Sequence, residues 1–162
     1  MRAVVQRVSR ARILVDGRVD GQIGAGLFVL VGLKRGDTRE DLAYLVKKIT
    51  KLRIFEDEQG KMNLSVQDVG GSLAVVSQFT LYGDTRAGNR PSWSQAMPVE
   101  EAREFWPTVE QAFTSSGVRC IFGRFQEMMD CEIVNSGPVT IILDSADRFR
   151  SRRSKEQTGP TE

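Results

Sequence analysis

Apolar residues change their spacing several times along the chain, and each change marks an element. Residues 2–8 and 11–16 alternate apolar and polar positions, the pattern of strands with one buried face. Asp16-Gly17 is a hairpin turn signal and leads into a short strand around 18–23. After Gly24-Ala25-Gly26 the alternation stops. Leu27-Phe28-Val29-Leu30-Val31-Gly32-Leu33 is almost continuously apolar, which predicts a strand buried on both faces. The period then becomes helical, with Leu42, Leu45, Val46, Ile49 and Leu52 on one face. Thr38 can cap this helix, with Asp41 three residues on in a capping-box-like position. Lys47, Lys48 and Lys51 lie late in it, where the helix dipole favours cations. The spacing predicts a helix over about 39–52.

Asp57-Glu58-Gln59-Gly60 reads as a turn, 72–79 as another buried strand, and 82–98 as a loop rich in Gly, Asn, Arg and Pro. A second helix fits 99–115, with Ala102, Phe105, Trp106, Val109 and Phe113 on its apolar face. Pro107 inside it predicts a kink or a late start. Strands follow at 118–123 and 130–135, and a last one after Pro138. This last pair is odd. Val134, Val139, Ile141, Ile142 and Leu143 suit a strand, yet Asn135-Ser136-Gly137-Pro138 cuts through them. From Asp144 the chain turns polar and charged. The expectation is one domain over 1–144 and a disordered tail over 145–162. The fold class expected is α/β: a mixed, largely antiparallel, curled β-sheet core with two main flanking helices.

Composition narrows the chemistry more than the fold. No apolar run approaches the roughly 18 residues of a membrane span, and the first residues lack a signal-peptide core. No membrane partner is expected, and the cytoplasm is the expected location. Cys120 and Cys131 match no metal spacing and read as free thiols. The chain has 0 histidines, so Ser-His-Asp and Cys-His machinery is excluded. Hydroxyls, carboxylates, lysine, backbone amides or the substrate itself must do any chemistry. The net charge is only +2, but the arginines are clustered. Arg2, Arg7, Arg10 and Arg12 crowd the start, Arg86 and Arg90 flank a Gly-Asn turn, and Arg148, Arg150, Arg152, Arg153 and Lys155 crowd the end. Such clusters are either solvated surface or contacts to phosphates.

Five stretches occur together in order: Met1-Arg2-Ala3-Val4-Val5-Gln6-Arg7-Val8, Gly60-Lys61-Met62-Asn63-Leu64-Ser65-Val66, Ser77-Gln78-Phe79-Thr80-Leu81, Gly88-Asn89-Arg90-Pro91-Ser92-Trp93, and Asn135-Ser136-Gly137-Pro138-Val139-Thr140. The set resembles the D-aminoacyl-tRNA deacylases of the common bacterial and eukaryotic type, over roughly residues 1–143. The resemblance implies a hydrolase that cuts the ester between a D-amino acid and the 3′-terminal adenosine of tRNA, with glycine on tRNA as a second substrate. It implies no metal and no organic cofactor. It implies a homodimer in which a cis Gly137–Pro138 bond of one subunit reaches into the partner's pocket. The chain departs from the family pattern at Gln126-Glu127-Met128, at Ser136 where Asp is frequent, and at Trp93 where Phe is usual.

The residues themselves suggest how such an enzyme would work. A Gly-Pro bond is cis at a cost of only about 0.5–1 kcal/mol, and Pro fixes φ. Two stiff carbonyls at Gly137 and Pro138 can hold an ammonium and form a wall against an L side chain, rejecting by exclusion. The other reading of this turn is purely structural. Ser77, Gln78, Phe79 and Thr80 are the catalytic candidates. Thr80 as nucleophile needs a base, and the motif supplies none. The alternative is hydrolysis assisted by the tRNA 2′-OH, with Phe79 and Thr80 N–H groups as oxyanion donors and Gln78 on the ribose or ester. Arg7, Met62, Asn63, Phe125, Met129 and Asn135 are substrate-binding candidates. Arg7 either braces the Gly-Pro element or is a surface arginine, and Phe125 and Met129 either line an adenine pocket or pack the core. Arg86 and Arg90 are candidates for RNA phosphates. Two rival expectations remain open: a tRNA-binding module without catalysis, and a dimer whose Gly-Pro turn only shapes an interface.

Overall fold

The computed structural model describes residues 1–150. Its long first strand, β1, runs over Arg2–Val15. The sequence pattern predicts two strands here. The exposed residues Ser9 and Arg10 that separate them are instead an irregularity within one strand, where its pairing with the final strand slips. The slip exchanges faces. Ala3 and Val5 point to the helix-covered side, whereas Ala11 and Ile13 point to the opposite side.

Strand β2 (Arg18–Ile23) pairs antiparallel with the second half of β1, and β3 (Gly26–Gly32) pairs antiparallel with the first half. Helix α1 covers Arg39–Thr50. A short hairpin follows, made of β4 (Phe55–Glu56) and β5 (Met62–Leu64), which the sequence pattern does not predict. Strand β6 (Ser72–Ser77) lies parallel to β3. A 3-10 turn over Phe79–Tyr82 ends it early, before the predicted 79. Helix α2 covers Val99–Thr114, and β7 (Arg119–Phe122) adds parallel to β6. Strand β8 (Asp130–Asp144) runs antiparallel along the whole of β1. All three pairings of β1 are thus antiparallel, and the two beyond β3 are parallel. The sheet curls because β2 folds back against β6 and β7.

Two apolar cores explain the sequence pattern. Under the helices, Val5, Val29, Leu73 and Val75 meet Leu45, Ile49, Trp106, Val109 and Phe113. Inside the curl, Val8, Ala11, Ile13 and Ile23 meet Phe28, Ala74 and Val76. Strands β3 and β6 serve both cores, so their residues are apolar without alternation. The capping box of α1 is present: the Asp41 carboxylate accepts the Thr38 N–H at 2.9 Å while Thr38 caps the Asp41 N–H. Helix α2 starts at Val99, so Pro107 lies within it rather than at its start, and the Arg103 carbonyl loses its usual N–H donor.

The boundary expected at 144 is corrected. Ser145–Phe149 form a 3-10 turn continuous with the domain. The Ser145 N–H donates to the Met1 carbonyl at 2.8 Å, and the N-terminal ammonium donates to Ser145 Oγ at 2.8 Å and to Asp37 at 2.6 Å. Arg148 pairs with Asp41 at 3.4 Å. These residues are polar yet ordered, because they pair with the start of the chain. The rest of the expected tail, 151–162, lies outside the described residues.

Candidate functional site

The Asn135-Ser136-Gly137-Pro138 interruption does not end a strand; it is a bulge in one. Asn135 faces Val8 and Thr140 faces Gln6, which leaves Ser136–Val139 opposite the single residue Arg7. Among the described residues, strand β8 has a partner only on its β1 side, so a proline without an N–H is tolerated. The Gly137–Pro138 peptide bond is cis, and both residues are exposed. The bulge is closed by Asn135, whose Oδ1 accepts the Val139 N–H at 3.0 Å and whose Nδ2 donates to Thr140 Oγ1 at 3.0 Å.

Arg7 sits beneath this bulge, only 8% exposed. Its Nε donates to the Ser136 carbonyl at 3.0 Å and its Nη1 to the Ile54 carbonyl at 2.7 Å. Its Nη2 lies 4.0 Å from Glu56. One guanidinium therefore ties the bulge to the β4–β5 hairpin. Met62, paired with Glu56, and Asn63, whose carbonyl accepts from Arg53 at 2.8 Å, belong to the same hairpin. Gly137 is required at this point. Its φ is 122°, and a Cβ there would stand 2.6 Å from Arg7 Nη2.

The Ser77–Thr80 motif forms a second cluster. The Gln78 N–H donates to the Val31 carbonyl at 2.7 Å, ending β6. Phe79 and Thr80 then open the 3-10 turn, where N–H groups have no intrahelical acceptor. Gly32 lets this backbone approach, since a Cβ there would lie 3.0 Å from the Gln78 carbonyl oxygen. Arg2 supports the turn by donating to the Leu81 carbonyl at 3.0 Å. The side-chain amide of Gln78 donates to Thr80 Oγ1, and no carboxylate or amine among the described residues bonds that hydroxyl. Phe79 is 56% exposed and meets Trp93 edge-to-face, with ring centroids 5.2 Å apart. Trp93 also packs over Gly83.

The loop after β7 crosses the end of β6, held by the Gly123 N–H donating to the Val75 carbonyl at 2.9 Å. Phe125 and Met129 belong to this loop. Both are half-buried: Phe125 rests near Trp106, with centroids 5.9 Å apart, and Met129 packs on the core inside the curl and against Gly123. Gln126 has φ 64°. Arg103 of α2 donates through two nitrogens to Gln126 Oε1, a clasp that the sequence reading missed. Arg86 is bound to Asp84, whose carboxyl is held down at about 2 by hydrogen bonds from the Arg86 side chain and N–H. Arg90 is exposed at the tip of the same loop.

The chain does not join these clusters by itself. Ser77 neighbours Val31, which neighbours Ala3, whereas the bulge faces Arg7. The two lie four residues apart along β1, roughly 13 Å, and about three strand widths of 4.8 Å across the sheet, from β6 through β3 and β1 to β8. One cluster holds Arg7, Met62, Asn63, Asn135, Gly137 and Pro138. The other holds Ser77, Gln78, Phe79 and Thr80, with Phe125 and Met129 in the loop that Gly123 ties to Val75 of β6.

This geometry has relatives. A model of the D-Tyr-tRNA(Tyr) deacylase family matches residues 4–144. A D-aminoacyl-tRNA deacylase of Koribacter versatilis is 54% identical over 149 residues, spanning 92% of this chain and 100% of the relative. Another from Bacillus licheniformis is 53% identical over 145 residues, spanning 90% and 99%. Among solved structures, the c-Myc DNA unwinding element binding protein superposes with a TM-score of 0.84 at 41% identity, over 89% of this chain and 98% of that one. A probable eukaryotic D-amino acid tRNA deacylase shares the fold with a TM-score of 0.71 at 17% identity, over 88% and 98%. The family match takes in β1 from Val4 onward, the Ser77–Thr80 turn and the whole of the β8 bulge, and by it the chain belongs to the D-Tyr-tRNA(Tyr) deacylase family.

Proposed function

We propose that the protein hydrolyses the ester of D-aminoacyl-tRNA, releasing a free D-amino acid and tRNA, and that it also clears glycine from tRNA. The observation that carries this reading is the exposed Gly137–Pro138 bulge held from below by the buried Arg7. A fixed backbone surface of this kind suits an enzyme that must accept many side chains of one hand. Its carbonyls hold the substrate ammonium and obstruct an L side chain, while glycine has no side chain to obstruct.

The bulge and the Ser77–Thr80 turn lie apart in one chain, so the complete site needs two copies. In a two-fold dimer the bulge of one subunit enters the other's pocket. A strip of Val4, Leu30 and Ile142, neighbours across three strands, supports this reading; Ile142 is 69% exposed. In the assembled site, water adds to the ester carbonyl carbon, the bond to the ribose 3′ oxygen breaks, and that oxygen takes a proton. The adjacent 2′-OH positions the water. Phe79 and Thr80 N–H groups receive the developing oxyanion, worth about 2.7–4 kcal/mol for a donor of this type. Gln78 orients the ester or ribose, and Phe125 and Met129 pack on the adenine. Thr80 accepts an amide hydrogen bond and has no base, which disfavours it as a nucleophile. No helix among the described residues is long and apolar enough to cross a membrane, and we place the activity in the cytoplasm with its tRNA.

The test is to incubate the pure protein with D-Tyr-tRNA, L-Tyr-tRNA and Gly-tRNA and follow release. D-Tyr and Gly should be freed and L-Tyr spared. D-Tyr-tRNA ending in 2′-deoxyadenosine should lose most of the rate. Binding of tRNA without any ester loss would leave a non-catalytic nucleic-acid-binding module as the better reading.

A further inference from the structure

The arginines of this chain divide into two groups. Arg2, Arg7, Arg86, Arg103, Arg124 and Arg148 each meet a carboxylate within the fold. Arg10 and Arg119, like Arg18, Arg35, Arg39, Arg53 and Arg90, meet none among the described residues, and both are exposed. They converge with Arg12 on one shallow concavity, whose rim is completed by Gln22, Ile23 and Gly24. The acid beside it is Glu132, 3.7 Å from Arg12. Three arginines thus line a concavity to which, among the described residues, no carboxylate contributes lining.

Its position matters as much as its charge. Arg10 lies three residues beyond Arg7 on β1, about 10 Å away, and faces Val134, two residues before the bulge opens at Ser136. The concavity begins where the Gly137–Pro138 element ends. We propose that Arg10, Arg12 and Arg119 form a phosphate-binding surface for the acceptor end of an RNA. The inference rests on the reading that the bulge enters a partner's pocket. Under it, the ester sits in one subunit while the strand leading away from it passes over the subunit that supplied the bulge. That subunit both screens the amino acid and holds the RNA backbone. Guanidinium forks suit phosphate oxygens, and such contacts fix orientation without reading sequence.

The experiment compares wild type with the double variant Arg10→Gln/Arg119→Gln. Uncharged tRNA is bound by fluorescence anisotropy across a salt series, and 3′-O-D-tyrosyl-adenosine is hydrolysed in parallel. The variant should bind tRNA roughly a hundredfold more weakly, about tenfold for each lost charged contact. Its salt slope should fall by about 1.4–1.8. Hydrolysis of the small ester, which has no phosphate, should be unchanged. Arg10→Lys/Arg119→Lys should keep the salt slope. Unchanged tRNA affinity and slope would overturn the proposal, and so would an equal loss on the small ester or on a random DNA duplex. If wild type cleaves neither D-Tyr-tRNA nor the small ester, the deacylase reading fails, while the difference in tRNA binding still decides this one.

Discussion

Arg7 shows how much one side chain is asked to do. It is buried, and its two bonds run to carbonyls at Ser136 and Ile54, far apart in sequence. Arg7→Ala leaves both acceptors without their donor, at roughly 1–3 kcal/mol for each buried group. The variant should unfold at lower urea and lose discrimination between D- and L-Tyr-tRNA, read as the ratio of deacylation rates. Arg7→Lys should recover only part of either, because an ammonium lacks the fork that spans two acceptors. Gly137→Ala attacks the same contact from the other side, forcing a Cβ toward Arg7 Nη2 at a φ that costs about 1–3 kcal/mol. Thr80→Ala, by contrast, should retain much of the activity in single-turnover assays. At this scale the sequence was informative about identity and silent about partners. Arg7 could be set beside the Gly-Pro element by likeness, but Ile54 could not, because β4 and β5 span only Phe55–Glu56 and Met62–Leu64, too short to show a period. The Arg103–Gln126 clasp was hidden for a related reason: it joins a helix and a loop whose approach no local pattern records.

Strand β8 is the element on which the proposed site depends, and it was legible only as two pieces. Proline read as a break because a central strand cannot spare an N–H; it is accepted here because β8 is bonded on one side and Ser136–Val139 bulge away opposite Arg7. The exposed pair Ser9 and Arg10 misled in the same way on β1. Continuous apolar runs and capping signals were legible, since they report burial on both faces and local hydrogen bonds. The stretch just past the far end of β8, Ser145–Phe149, reads from sequence as the start of a tail because polar composition conceals pairing. Asp144 there bonds Arg2 at 3.1 Å and caps the Ala146 N–H at 3.0 Å. Burial opposes its ionisation, but those bonds and the nearby N-terminal ammonium outweigh it and hold the carboxyl below its ordinary value. A depressed carboxyl stabilises the fold above its unfolded pKa, near 3.8, and this contribution fades as pH falls through the lower folded value. Asp144→Asn should therefore lower Tm at pH 7 and lose less on going to pH 3 than wild type does. Parallel melts at the two pH values check this.

On the proposed reading, the molecule as a whole carries two half-sites of a homodimer that its own sheet holds apart, and this has a consequence that no single substitution reveals. Suppose Gly137→Ala disables the bulge and Gln78→Ala disables the pocket. Each variant alone should be nearly inactive on D-Tyr-tRNA, since every site in its homodimer has one bad half. Unfold and refold the two together at equal amounts, and half of the dimers should contain one of each. In such a dimer the pocket of the Gly137→Ala chain is intact and receives the intact bulge of the Gln78→Ala chain, while the other site combines both defects. One site in two then works in half of the dimers, so activity should return to about a quarter of wild type. A site built within one chain allows no recovery, because neither chain has both halves. A bulge that merely shapes an interface gives a different result again: Gly137→Ala would alter dimer stability in sedimentation while leaving the rate per dimer and the D/L ratio near wild type. Recovery to a quarter, with the D/L ratio of the mixture equal to wild type, is the outcome that assigns hook and pocket to different copies of the chain.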